Sequence, residues 1–276
     1  MICRKAKEGR YEQETHSRTD HQCTGVQGIH GRTGSAEEDR GCTEGMRYLS
    51  LFSGAGGGDL AMQHLLGFRC VGYVEYEDYC QRVIRQRIED GLLDPAPIFG
   101  DIRAFNSEGY AESYQGMVDL ITGGFPCPAF STAARGRNIP ERDMWPEAAE
   151  CVEAIKPHLF FGENVQRQAV ERAAYDLGAM GYSSSGLPLS TADLGADHIR
   201  TRYWILAYPH NKGKLFGALN AEMVRVPGVR PCVWDTYPIK SGMDDGDTHR
   251  MDRYKAVGNM QVPIVAATAF RILAGQ

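Results

Sequence analysis

The chain has 276 residues, 42% of them hydrophobic, and a formal net charge of −5. That length and composition suit one large globular domain, or one domain plus a small one. No uninterrupted apolar run nears the ~18 residues of a membrane helix, the N-terminus lacks the apolar core of a signal peptide, and the negative balance weakly opposes a nucleic-acid partner while leaving room for a local basic face.

Residues 1–45 are rich in Gly, Thr, Arg, Glu and His and have almost no apolar periodicity. Such composition buries too little surface to offset the entropy of ordering. It reads as a disordered tail, or as a leader before a start at Met46. A DNA-contacting arm or a Cys23/His30/Cys42 metal cluster is the alternative, but that spacing fits no common zinc template. The eight cysteines form no CxxC pair, so no metal site is expected.

From Arg47 the pattern changes. Arg47–Phe52 is a short apolar strand, followed by a glycine-rich turn and a helix over Asp59–Leu66. Phe68–Val74 is a second strand, and Glu77–Glu89 a helix ended by Gly91 and Pro95. Ile98–Phe99 is a brief third strand, and Met117–Thr122 a fourth that runs into Gly123-Gly124-Phe125-Pro126-Cys127. A helix over Trp145–Ile155, a strand over Leu159–Gly162, a helix over Gln168–Met180 and a strand over Tyr203–Leu206 follow. Ala256–Leu273 closes the chain as one long apolar helix. This alternation predicts an α/β fold, a doubly wound, mostly parallel, Rossmann-like sheet. Its ligands should bind at the carboxyl ends of the strands, and the notable polar positions do follow strands. Residues 208–254, rich in Gly, Pro, Asp and Arg, form a short irregular region set between two parts of one domain, 46–207 and 255–276.

The loop Phe52-Ser-Gly-Ala-Gly-Gly-Gly-Asp59 can let a backbone approach a ligand closely, because glycine has no Cβ, and a helix N-terminus behind it offers free N–H groups. The dinucleotide spacing G-x-G-x-x-G fails, since the sixth position from Gly54 is Asp59. That counts against a nicotinamide oxidoreductase. Glu75, at the end of the second strand, suits the two hydroxyls of a ribose. Tyr76 can pack on an adenine, and Asp101 can accept from its amino group. Each acid has a plainer reading as a helix N-cap or a solvated loop end.

Cys127 lies between two prolines, which stiffen the loop and forbid helix locally. A thiolate is the effective nucleophile and wants positive charge nearby, which Arg200 and Arg202 can supply. Glu163 ends an apolar strand, where burial would raise its pKa and suit it to act as a general acid. Arginines two apart on an extended segment share a face, so both can reach a phosphate or a base oxygen.

Taken in order, Phe52-Ser-Gly-Ala-Gly56, Glu75, Gly100-Asp-Ile102, Phe125-Pro-Cys127, Glu163-Asn-Val165, Arg200-Thr-Arg202 and Gly258-Asn259 resemble the DNA cytosine-5 methyltransferase family of bacteria and phages. Arg142-Asp-Met-Trp-Pro146 resembles the segment after that family's catalytic loop. The resemblance implies S-adenosylmethionine as cofactor, held by Phe52, Gly54, Gly56, Glu75, Tyr76, Asp101, Ile102, Gly124, Pro126 and Asn259. It implies that Cys127 adds to carbon 6 of a flipped cytosine in double-stranded DNA, with Glu163 at nitrogen 3, Arg202 steadying base and loop, and Arg200 beside it among the catalytic residues. Ser131–Arg142 would be a lid, and 208–254 the target-recognition region, with Lys212, Arg225, Arg230 and Lys240 among its phosphate-binding cations. A cytoplasmic monomer with no membrane or metal partner follows from the same likeness. Pro128 and His198 stand where the family usually has glutamine, and the recognition region is short. Two other readings remain open: a transfer-RNA enzyme of the same fold, for which the expected Cys-Phe-Thr signature is missing, and a catalytically weak DNA-binding relative.

Overall fold

The computed structural model describes residues 45–126, 143–210 and 250–275, and for residues 250, 251, 253 and 254 only the backbone. The expectations for the tail, the Ser131–Arg142 lid, most of 208–254 and Cys127 itself lie outside the described residues. The described part is built on a seven-stranded sheet: β1 (Arg47–Leu51), β2 (Arg69–Val74), β3 (Ile98–Phe99), β4 (Leu120–Gly124), β5 (Leu159–Asn164), β6 (Tyr182–Ser190) and β7 (Thr201–Pro209). Their order across the sheet is β3-β2-β1-β4-β5-β7-β6. The β1–β2, β1–β4, β2–β3 and β4–β5 pairs are parallel, and β7 runs antiparallel to both β5 and β6. The expected mostly parallel, doubly wound sheet is therefore present, with an antiparallel edge.

Neighbouring residues along a strand face opposite sides of a sheet, and both sides here are apolar. Leu49, Ile121, Phe160 and Ile205 pack into one core with helices α3 (Ile102–Ser107), α5 (Trp145–Ile155) and α6 (Arg167–Ala179). Tyr48, Leu120, Phe161, Trp204 and Leu206 pack into the other, against the final helix Pro263–Ala274. Burial on both faces is why the central strands read as continuous apolar runs.

Several elements differ from the sequence reading. The fourth strand starts at Leu120, because Met117 is half exposed and Asp119 is engaged in accepting the Arg47 N–H at 2.9 Å. The first helix is a short α1 (Gly57–Leu60) that widens into a π-helical turn over Ala61–Leu65, closed by Leu66 N donating to the Ala61 carbonyl at 3.1 Å. Strand β6 and the helices α3 and α4 (Tyr110–Ser113) were not anticipated. The closing helix is two, α7 (Arg250–Asn259) and α8 (Pro263–Ala274). Pro263 disfavours helix at the residue before it, and Val262 is extended. By length and composition alone, Lys255–Ala274 passes as a membrane span, contrary to the expectation. It is in fact broken at residues 260–262, and α8 is buried in the core.

Candidate active site

In a doubly wound sheet the strand order reverses at one point, and ligands bind outside the carboxyl ends of the strands there. Here the reversal falls between β1 and β4. A small hollow open to solvent sits at that point, lined by Phe52, Gly54, Thr122, Gly124, Glu163 and Asn259 among others.

The loop leaving β1 is shaped by backbone geometry. Phe52 has φ 52°, Gly54 55° and Gly56 78°. A left-handed conformation is easy for glycine and strained for phenylalanine. A Cβ at Gly54 would have nothing within 4 Å, so the loop faces open space there. Glu75, 6% exposed, fastens the loop from behind: its carboxylate accepts from Gly54 N at 2.6 Å and from Glu77 N at 2.8 Å. Burial, its largest influence, pushes the Glu75 carboxyl above the usual range against those two bonds.

Gly57 and Gly58 have a different task. A Cβ at Gly57 would lie 2.3 Å from the Gln261 carbonyl oxygen, and one at Gly58 would lie 2.5 Å from Gln261 Oε1. These two glycines admit the link between α7 and α8, and Gly58 also lines the hollow. On the buried side of α1, Asp59 is 1% exposed and accepts from the Tyr48 hydroxyl at 3.1 Å. Gln63 bonds the hydroxyls of Tyr48 at 2.9 Å and Tyr73 at 3.1 Å. Burial raises the Asp59 carboxyl to about 6.

Glu163, 7% exposed, ends β5. Its Oε1 lies 3.0 Å from Arg202 Nε, and its Oε2 accepts from Gln261 Nε2 at 3.4 Å. Burial raises its pKa, and Arg202, Gln261 and Arg200 oppose the rise. Gly124 stands opposite, where a Cβ would be 2.7 Å from Glu163 Oε2. The next residue of β5, Asn164, accepts from Gln166 N at 2.9 Å and donates to the Phe125 carbonyl at 2.8 Å. The chain enters and leaves residues 127–142 side by side, because Met144 N donates to the Pro126 carbonyl at 3.0 Å. Trp145 anchors the return: its Nε1 donates to Asp176 at 2.7 Å, and its ring packs on Phe125 with centroids 4.9 Å apart.

A profile of C-5 cytosine-specific DNA methylases matches residues 46–254. The chain belongs to that family. The Type II methyltransferase M.NgoMIV of Neisseria gonorrhoeae is 29% identical over 178 residues, 61% of this chain and 53% of the relative. For M.HhaI of Haemophilus parahaemolyticus the figures are 27% over 173 residues, 59% and 49%. M.FnuDI of Fusobacterium nucleatum is 30% identical over 172 residues, 59% and 47%. The chain thus spans about half the length of the curated relatives it matches.

Of the positions this family likeness pointed to, Phe52, Gly54, Gly124, Glu163 and Asn259 share the hollow, and Glu75 joins it through Gly54 N. Gly56 makes a left-handed turn beside Leu93. Others stand apart from the hollow's lining. Tyr76 is 72% exposed. Asp101 caps α3, accepting from Arg103 N at 2.9 Å, as the plainer reading had it, and Ile102 is buried in the core. Pro126 is exposed. Only Arg202 of the arginine pair meets Glu163 directly. Arg200 instead donates to the carbonyls of Gly258 at 2.7 Å and Met260 at 2.9 Å, so it braces the α7–α8 link. Among the described residues, no three His, Cys, Asp or Glu side chains cluster as a metal site. Gln261 and Asn164 were missed as site residues. Asn164 stood inside the Glu163-Asn-Val165 motif, singled out there for its neighbour, and Gln261 lay two residues beyond Gly258-Asn259 with no signal of its own.

Proposed function

We propose that this chain transfers a methyl group from S-adenosylmethionine to carbon 5 of cytosine in double-stranded DNA, acting as a monomer in the cell interior where DNA is held. The observation that carries this reading is Glu163: a buried carboxyl with a raised pKa, held by Arg202, on the rim of a hollow at the switch point of a family member's sheet. The open side of Gly54 gives a ligand close access to backbone. Phe52, Gly54, Gly124 and Asn259 would hold the cofactor, with Glu75 fixing the loop. Tyr76, Asp101 and Ile102 are assigned to its adenosine end, and Gly56 and Pro126 to the shape of the adjoining turns. Bound there, S-adenosylmethionine supplies an electrophilic methyl group.

Cys127 immediately follows Pro126, whose carbonyl is pinned by Met144. Its thiolate adds to carbon 6 of the pyrimidine, forming the S–C6 bond while electron density moves onto carbon 5. Protonated Glu163 donates to nitrogen 3 and stabilises that density. Arg202 fixes the Glu163 carboxyl, and Arg200 fixes the segment behind it. After methylation, carbon 5 loses its proton to a base, and the S–C6 bond breaks to return the thiolate and restore aromaticity. A stacked base hides both ring faces, so the cytosine must leave the duplex first. We assign 208–254 to target recognition, and 46–207 with 255–276 to catalysis.

The test is incubation with labelled S-adenosylmethionine and mixed-sequence duplexes, followed by mapping of modified cytosines. Label at carbon 5 is expected, and Cys127→Ser should abolish it with the fold unchanged. Transfer surviving in that variant rules out the covalent route. Label only in transfer RNA, or DNA binding without transfer, would favour the other two readings.

A further inference from the structure

We propose that Gln261 is a positioning residue for Glu163, fixing the acid's carboxyl group and tying it to the glycine loop. This rests on the reading of Glu163 as proton donor. Three glycines, two at the start of α1 and one at the end of β4, lie along the Gln261 residue. Its carbonyl oxygen occupies the space a Cβ on Gly57 would need, at 2.3 Å, and its Oε1 that of Gly58, at 2.5 Å. Its Nε2 would be 3.2 Å from a Cβ on Gly124, and it donates to Glu163 Oε2 at 3.4 Å. Larger residues at any of these glycines would displace Gln261 or Glu163.

The segment carrying Gln261 is itself held. Arg200 grips the carbonyls at 258 and 260, so each end of the Glu163 carboxylate traces back to the arginine pair at the start of β7: Oε1 through Arg202, and Oε2 through Gln261 and Arg200, the residue just before the strand. A carboxyl held by a charged donor on one oxygen and a neutral amide on the other keeps a fixed direction yet can still take up a proton. A second arginine in place of the amide would hold it ionised.

The amide bond favours the carboxylate form, so its removal raises the Glu163 pKa. Gln261→Met keeps the length and the packing against Gly57 and Gly58 but removes the donor. Gln261→Glu keeps the volume and faces Glu163 with another carboxyl, which acts in the same direction. The direct readout is ¹³C NMR titration of protein labelled at the glutamate carboxyl carbon, with the Glu163 signal assigned by its loss in Glu163→Gln. In both variants the Glu163 midpoint is expected to move up. The pH limb of kcat set by Glu163 should move with it, and kcat at the optimum should fall about tenfold, the scale of one hydrogen bond to a charged group. A Glu163 midpoint unchanged in both variants overturns the proposal. So does a rise in KM for S-adenosylmethionine without a shift, which would mean that Gln261 only packs the loop. If the parent protein transfers no methyl group, the functional reading fails, while the NMR titration still decides whether Gln261 governs Glu163.

Discussion

Glycine 57 separates two explanations of the glycine-rich loop. If it is glycine only for flexibility, replacing it with alanine in the first turn of α1 should stabilise the protein by up to about 1 kcal/mol, through helix propensity and a less free unfolded chain. The structure argues otherwise. The new methyl would stand 2.3 Å from both the Gln261 carbonyl oxygen and Met260 Cγ, against an ordinary contact of about 3.5–4 Å. More than 1 Å of separation must open between α1 and a segment whose carbonyls Arg200 holds. Overpacking of this kind costs about 1–3 kcal/mol, so even after the full helix gain Gly57→Ala should be less stable by up to about 2 kcal/mol. Gly178 is the control. It lies near the end of α6 with nothing within 4 Å of its Cβ position, and its alanine variant should gain up to about 1 kcal/mol. Urea unfolding of the parent and both variants, compared by midpoint at unchanged slope, gives the signs. A Gly57→Ala protein as stable as its parent would refute the idea that this glycine exists for the 260–261 segment.

Two further outcomes follow from buried polar groups. Asn164→Ala removes both the donor to the Phe125 carbonyl and the acceptor of Gln166 N. A loss of about 2–3 kcal/mol is expected, with methyl transfer falling further than stability because the segment leading into residue 127 is released. Transfer activity that tracks the melted fraction alone would count against that second part. Asp59, raised to about 6 from an ordinary 3.8, disfavours the folded state once it must ionise. Its protonated form is fully stabilising below about pH 4, and that advantage is lost as pH rises through 6. Asp59→Asn should therefore gain on the parent between about pH 4 and 6, to a ceiling near 3 kcal/mol, and hold that lead above pH 6. Urea midpoints at pH 4, 5, 6 and 8 would show it, and a pH-independent difference would exclude it.

The strands buried on both faces were readable because burial leaves a continuous apolar run, as in Leu159-Phe-Phe161. β6 was not, since Tyr182–Ser190 carries serines, a glycine and a proline. It is a strand because β7 supplies its partner row, and as an edge strand it tolerates Pro188. The break between α7 and α8 was marked by Pro263, but the apolar composition on either side hid it. At the site, residue type indicated which acids follow strands and not what each one grips. Asp101 and Glu75 both end on backbone N–H groups, whereas Glu163 meets side chains from β7 and from the 260–262 link. That distinction depends on contacts 39 and 98 residues apart in sequence, which no local pattern encodes.

The same long-range contacts explain why one short loop holds four glycines among five consecutive residues. Gly54 is bare toward the hollow, Gly56 reverses the chain, and Gly57 and Gly58 are bare toward Gln261. Helix α1 is thus clasped between the ligand side and the α7–α8 link, and a displacement of the link toward the sheet meets α1 or Glu163. Arg200 decides which, because it fixes the carbonyls on the far side of Gln261. An arginine pair spaced two apart therefore divides its work: one member sets the charge facing the acid, and the other sets where the neutral donor to that acid stands.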